Sequence, residues 1–489
     1  MKEVNQIISK LGILKNNKLF SIFLIALILR LIPVLAFRDI GISLDDMYQY
    51  DMLARSIVAG NGYRWYAQED LNLVEQYINL EFISSEYDSR GVLTSFRPPL
   101  YPLFLASIYY VFGVGTYRYF YARIIQAIIG AILAPLIYLI AARIFPGNKK
   151  IPLISSIIIA IYPMLVVYPL SLATENLFFI LLLISLLLLL IAIDKEKWQL
   201  FLLCGIVLGL LSLTRSVALG FSGLVFLWMF FILRRKKKAF ILLVGLIITI
   251  SPWIIRNSLL HGKLMGIESA LGYDLYVGYH PQGTGTFQYG ISLDLMSIMD
   301  DGLRDQIGIE KAVKFITSDP SRDLYLIVRK MGYFMGLEKR ALIYLYTNNY
   351  FGYIPTFLMG VLLVIFLSPF VLIAISGVLG FYYIKWNHQN LILILLLFGY
   401  AVPHFLILAE PRFHLSLVPV FAIGAAYFWE KGYKILLNQF STKKFNWKFG
   451  LSIFTISLLI ANWIFEIIRD HQVLVNLLSI GGNIKYLPY

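Results

Sequence analysis

The sequence predicts an all-α membrane protein, a polytopic bundle of about 11 spans with juxtamembrane helices on its outer side. Three observations predict it. Of 489 residues, 59% are hydrophobic and 14% charged, against about 25% charged in an ordinary soluble domain. The apolar residues fall in long blocks such as 176–193, NLFFILLLISLLLLLIAI, which holds no charge; a helix needs roughly 20 apolar residues to cross the hydrocarbon core. The Lys and Arg behind the net charge of +14 gather in short gaps between blocks, the pattern of the positive-inside rule. In a soluble chain this charge would suggest nucleic acid; here the gaps account for it, and no nucleic-acid partner is expected.

The first apolar block follows Lys10, Lys15 and Lys18 and runs into Phe37-Arg38-Asp39 without a small-residue cleavage site, so it reads as an uncleaved first helix. Spans are expected near 19–37, 122–144, 151–169, 175–193, 199–215, 217–233, 239–256, 353–384, 390–408, 414–430 and 448–468. The block 353–384 is longer than one span needs, which implies a tilt or a break at Pro369. The basic gaps are the N-terminus, Lys149-Lys150, Lys195 with Lys197, the run Arg234 to Lys238, and Lys431 to Lys448. With these spans all of them fall on one side, which is therefore cytoplasmic. Residues 98–113, PPLYPLFLASIYYVFG, are apolar, but counting them as a span would split the basic gaps between the two sides. They read as a short helix lying at the outer interface, or re-entering without crossing.

Three regions follow: a membrane module over 1–256 containing a first outer loop at 38–121, a second outer loop at 257–352, and C-terminal membrane helices over 353–489. Helices lying on the membrane are expected near 47–59 and 320–345. Both loops are rich in Tyr, which suits the headgroup region. Cys204 is the sole cysteine, so an intrachain disulfide and a cysteine metal site are both excluded.

The polar residues that could carry chemistry lie at the outer ends of the spans. Ile42-Ser43-Leu44-Asp45-Asp46-Met47-Tyr48 follows the first span. One Asp there reads as a helix N-cap; the other reading is a carboxylate base at the membrane surface, or two carboxylates holding a divalent cation through oxygen ligands. Arg97-Pro98-Pro99 opens the interfacial segment, since two prolines block a helix before it. Arg97 is then a snorkelling anchor or a phosphate ligand. Glu175 lies at the outer turn Thr174-Glu175-Asn176 and either caps the next helix or faces the same outer space. Arg215 and Arg256 end two spans on the outer side, against the charge bias, which invites a phosphate or a loop carboxylate as partner. Glu410-Pro411-Arg412-Phe413-His414 joins two late spans. Ionisable groups at the edge of a bundle tend to be functional, and an Arg fork can grip a phosphate with two hydrogen bonds. Gly283-Thr284-Gly285-Thr286 lacks the strand–helix setting of a dinucleotide loop, and the six His have no metal-ligand spacing.

Taken in order, the acidic pair with Tyr48, Arg97-Pro98-Pro99-Leu100-Tyr101-Pro102, Thr174-Glu175-Asn176-Leu177, Leu213-Thr214-Arg215-Ser216, Pro252-Trp253-Ile254-Ile255-Arg256-Asn257 and Pro411-Arg412-Phe413-His414-Leu415 resemble the GT-C fold glycosyltransferases. The relatives are family 39-like: the protein O-mannosyltransferases and lipid A aminoarabinose transferases. The resemblance covers roughly 19–430. It implies a GT-C-like fold, with Asp45 as catalytic carboxylate and Asp46 its neighbour; relatives commonly carry Glu where this chain has Asp46. It implies Arg412, then Arg97 and Arg256, as ligands of the donor phosphate, and Tyr48, Glu175, Glu410 and His414 around the substrates.

The chemistry so implied is transfer of a sugar, with inversion, from a polyprenyl-phosphate donor to a hydroxyl or amine of a lipid, glycan or protein on the outer face of the cell membrane. A carboxylate would act as general base and arginines would stabilise the leaving phosphate. No cofactor is required, although a divalent metal is compatible with the acidic pair. Three alternatives stay open: a flippase or transporter of lipid-linked saccharides, a non-catalytic assembly subunit of the same fold, and a polysaccharide polymerase or ligase with a diphosphate-linked donor. Tyr273, Tyr276 and Tyr279 of the second loop are candidates to shape the pocket.

Overall fold

The computed structural model describes residues 17–478 apart from 44, 78–79, 81–82, 84–85, 296, 340–341, 343–353 and 443–445. Lys10, Lys15, Leu44 and the far end of the expected 320–345 helix therefore lie outside the described residues.

The chain is an integral membrane protein whose apolar blocks are all helical. In chain order they are α1 (Asn17–Ala36), then in the first loop α2 (Asp46–Val58) and α3 (Leu100–Phe112), then α4 (Arg118–Ile144), α5 (Lys150–Ile161), α6 (Glu175–Lys195), α7 (Trp198–Thr214), α8 (Ala218–Ile232) and α9 (Lys236–His261). The second loop contributes α10 (Leu271–Tyr279), α11 (Asp301–Ser318) and α12 (Pro320–Phe334). The last group is α13 (Thr356–Tyr383), α14 (Leu391–Leu406), α15 (Pro411–Thr442) and α16 (Trp447–Arg469).

Of the eleven expected spans, the structure supports the coarser count of seven or eight by length and composition. Among the described residues seven helices are long and apolar enough to cross a membrane, or eight if the bent pair Lys150–Ile161 and Pro163–Leu170 is one span. The remaining three, α7, α8 and α14, are shorter apolar helices of 10–17 residues. Apolar periodicity located these segments, but it does not measure how many residues stay helical. The 13-residue α3 is shorter still. It packs on α2 through an edge-to-face contact of Tyr50 and Tyr101, whose centroids are 5.1 Å apart.

The bend of 54° after α5 has a local cause. Pro163 has no N–H, so the Ile159 carbonyl loses its helical partner. Arg30, fully buried in α1, donates to Ile159 O at 3.0 Å and Ala160 O at 3.1 Å. A buried backbone acceptor must be satisfied somewhere, and here a guanidinium does it across the helix–helix contact. α7 and α9 approach more closely than any side chain allows: a Cβ on Gly205 would collide with the Leu242 carbonyl, and one on Gly245 with that of Leu202.

One large apolar cluster fills the bundle, with Phe178, Leu186, Phe201 and Ile423 among its buried members. The basic gaps meet carboxylates at one end: Arg143–Asp194 at 3.4 Å, Arg235–Glu196 at 2.6 Å and Lys150–Glu430 at 3.4 Å. The two long loops meet over the other end. Ser269 N–H donates to Ser95 O at 3.0 Å, and Asp301 accepts from the Ser95 N–H at 2.9 Å and from the Thr94 hydroxyl. A two-residue antiparallel ladder, Arg64–Leu93 and Trp65–Val92, holds the base of the first loop.

Candidate active site

The site forms where helix ends meet the two loops. Asp45 is the N-cap of α2: its Oδ1 accepts the Met47 N–H at 3.0 Å and the Ser43 hydroxyl at 2.7 Å. Asp46, the first residue of α2, points elsewhere. It accepts from Arg97 on one oxygen and from Arg412, at 2.8 Å, on the other. Arg97 is fixed because Tyr63 donates to the carbonyls of Arg97 at 2.9 Å and Pro98 at 3.1 Å, just before Pro99 caps α3. Its guanidinium also donates to Gln49 at 2.8 Å and lies over the rings of Tyr50 and Phe96. The Arg412 side chain is 41% exposed and that of Asp46 28%, so this ion triplet is open to solvent.

A second pair stands beside it. Glu175, 2% exposed at the start of α6, bonds Arg215 at the end of α7 at 2.6 Å. Arg215 also donates to Thr174 at 3.3 Å and lies over the Phe413 ring. The next residue, Ser216, gives its hydroxyl to Glu268, which precedes α10. Asp274 is in the first turn of α10 and feels the charges of Glu268, Arg97, Asp46 and Arg215.

Burial opposes ionisation of Asp46, but Arg97 and Arg412 outweigh it and hold its carboxyl well below the usual carboxylate range. Burial pushes Glu268 up, against Ser216 and the arginines. Burial and the neighbouring Glu268 push Asp274 up to about 7. Four carboxylates and three arginines thus share one end of the bundle, with their proton affinities spread widely.

The structure therefore brings together Asp46, Arg97, Glu175 and Arg412 of the sequence candidates, and sets Asp45 beside them as a cap. Four other candidates are placed elsewhere. Arg256 donates to Thr94 O at 2.6 Å and lies over Trp253 and Tyr63, bracing the first loop. Tyr48 donates to Asp70 at 2.6 Å, and Asp70 is also bound by Arg55 at 2.5 Å. Glu410 holds the loop before it by accepting from the Thr286 hydroxyl and, at 2.9 Å, the Phe287 N–H. His414 is fully buried, bonded to Phe334 O at 2.7 Å and Glu338 at 3.2 Å, and stacked on Phe370. Sequence reasoning missed Glu268 and Asp274. The available signal was two acids in a stretch, Ile267 to Tyr279, otherwise made of apolar, Gly, Ser and Tyr residues. Among the described residues no group of three or more His, Cys, Asp or Glu side chains could hold a metal ion.

Residues 96–255 match the family model of the dolichyl-phosphate-mannose-protein mannosyltransferases. The matched stretch contains Arg97, Glu175 and Arg215; Asp46, Glu268, Asp274 and Arg412 lie outside it. Over these residues the chain carries that glycosyltransferase family's pattern, which is the one its motifs resemble. Among solved structures it is similar to the archaeal oligosaccharyltransferase AglB from Archaeoglobus fulgidus in complex with an inhibitory peptide and a dolichol-phosphate. The identity is 13% over 96% of this chain and 56% of that one, with a TM-score of 0.46. The apo form of the Archaeoglobus fulgidus enzyme gives 14% identity over 96% and 56%, at 0.46. ArnT from Cupriavidus metallidurans bound to undecaprenyl phosphate gives 13% over 83% and 77%, at 0.38. The chain spans about half the length of the archaeal structures. No curated protein sequence matches it.

Proposed function

We propose that this membrane protein, whose residues 96–255 carry a glycosyltransferase family pattern, transfers a sugar with inversion from a polyprenyl-phosphate donor to a hydroxyl or amine acceptor on the extracytoplasmic face. The acceptor belongs to a lipid, glycan or protein. The observation that carries the reading is Asp46 bracketed by Arg97 and Arg412, partly exposed at the end of the bundle away from the basic gaps.

The donor's isoprenoid tail stays in lipid while its phosphate is drawn to the two guanidinium groups, whose planar forks suit phosphate oxygens. The acceptor atom attacks the anomeric carbon from the face opposite the phosphate. A new bond forms there as the bond from that carbon to the phosphate oxygen breaks, and the acceptor's proton passes to a carboxylate. Charge grows on the departing polyprenyl phosphate, where fixed cations count for more than they would in water. The reading requires no nucleotide and no metal.

The test is transfer from a panel of radiolabelled polyprenyl-phosphate sugars to the host's lipid and protein extracts, in membranes carrying wild type or Arg412→Ala. The variant is expected to lose about 100-fold in rate, the usual cost of one charge-stabilising donor. Wild-type rates in an equally abundant variant would remove Arg412 from donor handling. Transfer confined to a diphosphate-linked donor would replace the reading with a polymerase or ligase, and translocation without transfer with a flippase.

A further inference from the structure

We infer that Glu338 and His414 are positioning residues for Arg412, holding the turn that presents its guanidinium to the donor phosphate; this rests on the transferase reading above. Arg412 is the second residue of the turn Pro411–Leu417 that opens α15, and every other residue of that turn is buried. The turn is a 3₁₀ helix of seven residues. Runs of that geometry beyond about 3–4 residues are uncommon, because their hydrogen bonds are poorly aligned. Its shape therefore depends on bonds from outside, and the second outer loop supplies them on both sides of Arg412.

On the near side Glu410 accepts the Thr286 hydroxyl and, at 2.9 Å, the Phe287 N–H, and the Ala409 N–H donates to Gly285 O at 3.4 Å. Two residues beyond Arg412 the fully buried His414 ring is held at both nitrogens and on one face. Its Nδ1–H donates to Phe334 O at 2.7 Å, since a carbonyl can only accept. Its Nε2 lies 3.2 Å from Glu338 Oε1, which also takes the Tyr162 hydroxyl at 2.5 Å. Its face stacks on Phe370, with centroids 3.9 Å apart and planes 10° from parallel.

Glu338 is 4% exposed, and its stretch of backbone is fixed by α16. Asn462 donates to Gly332 O at 3.0 Å and Trp463 to Met335 O at 2.8 Å, while Glu466 accepts the Leu337 N–H at 2.8 Å and the Lys339 ammonium. A chain of bonds thus runs from α16 through Glu338 and His414 to the backbone that carries Arg412, whose guanidinium meets Asp46 at 2.8 Å. An arginine side chain has many rotamers, so its fork reaches a phosphate in one place only when its backbone is set. Glu338 and His414 are too deeply buried to touch a substrate, so their effect on transfer passes through the turn. An apolar pair could fill the same space, but a satisfied polar pair fixes one geometry.

The experiment uses the full-length protein in lipid nanodiscs: wild type, His414→Asn, Glu338→Ala, Glu338→Gln, Arg412→Ala, and Arg412→Ala combined with His414→Asn or Glu338→Ala. His414→Asn keeps a donor for Phe334 O and falls short of Glu338, which makes it the mild form of the change. Undecaprenyl phosphate is the binding probe, and the labelled polyprenyl-phosphate sugar that wild type turns over measures transfer. A misplacement of about 1 Å can cost roughly 10²-fold in rate. His414→Asn and Glu338→Ala are therefore each expected to slow transfer by about 10–10²-fold and to weaken undecaprenyl phosphate binding about 10-fold, with the acceptor KM unchanged. Glu338→Gln, which can still bond Tyr162 and His414, keeps most of the binding. In the Arg412→Ala background neither change costs more than about 2-fold further, because residues that act through one group do not add. A merely structural role would lower the melting temperature and multiply with Arg412→Ala. Such multiplied losses, wild-type affinity in folded His414→Asn and Glu338→Ala, or a raised acceptor KM would each overturn the assignment. Undecaprenyl phosphate binding indifferent to Arg412→Ala would defeat the donor-handling reading and this inference with it. Wild type that binds through Arg412 and transfers nothing would defeat the transferase reading alone, the binding losses then carrying the positioning role.

Discussion

Asp46 neutralises two guanidinium groups at once, and this makes its removal informative in two ways. Its folded pKa is depressed, so the stability it contributes is fully present above the unfolded carboxylate pKa and is lost as pH falls through the lower folded value. Asp46→Asn is therefore expected to cost about 2 kcal/mol at pH 7, less than a fully buried pair because the site is partly exposed, with the gap to wild type closing in acid. The same change frees Arg97 and Arg412, so added undecaprenyl phosphate should raise the melting temperature of Asp46→Asn by more than it raises that of wild type. An equal or smaller rise would mean that these arginines do not meet phosphate. How legible was this site in the sequence? Arg97, Glu175 and Arg412 were legible because each sits beside a proline or a turn at a span end, where a charge demands a reason. Asp45 and Asp46 could not be separated by pattern, since a cap and an ion pair use the same residue type one position apart. Glu268 and Asp274 carried only a weak signal because what faces them, Ser216 and the segment around Phe96 and Arg97, comes from far away in the chain.

Among the elements, α1 and the α5 bend are coupled through Arg30. A charged side chain wholly buried in a spanning helix is costly, and here it is offset by the Ile159 carbonyl that Pro163 releases and by the neighbouring Ala160 carbonyl. Arg30→Met is expected to leave those acceptors without partners, at about 1–3 kcal/mol each. Pro163→Ala restores an N–H that can reach Ile159 O, so the double variant Arg30→Met/Pro163→Ala should recover at least about 1 kcal/mol relative to Arg30→Met alone. Thermal unfolding in one detergent compares the four proteins; strictly additive losses would show that the two residues do not interact. The apolar pattern located every one of these helices and could not fix their lengths. α7, α8 and α14 stop short because Arg215, the basic run at 234–238 and the turn at Ile407 end them, and those ends are set by contacts with the loops and neighbouring helices as much as by the apolar run itself.

For the whole molecule the question is which side the site faces, and the chain carries its own tool for answering it. Cys204 is the sole cysteine and is fully buried, so introduced cysteines can be labelled against a silent background. The basic gaps, with Lys150, Asp194, Glu196 and Arg235 paired at one end, assign that end to the cytoplasm. On the proposed reading the end with Asp46, Arg97, Arg412 and Asp274 faces outward, where a lipid-phosphate donor would meet its acceptor. Leu264 lies beyond the end of α9 nearest the site and is 89% exposed; Trp198 lies at the opposite end, at the start of α7, and is 54% exposed. In intact cells a membrane-impermeant maleimide is expected to label Leu264→Cys and to leave Trp198→Cys untouched until the membrane is opened. The reverse pattern would turn the bundle over. It would place the arginine site in the cytoplasm and require the donor to be used on the side where the basic gaps are now assigned. Labelling of both sites in sealed cells would break the alternation of helices that puts every basic gap on one face, and with it the short, non-crossing reading of α3.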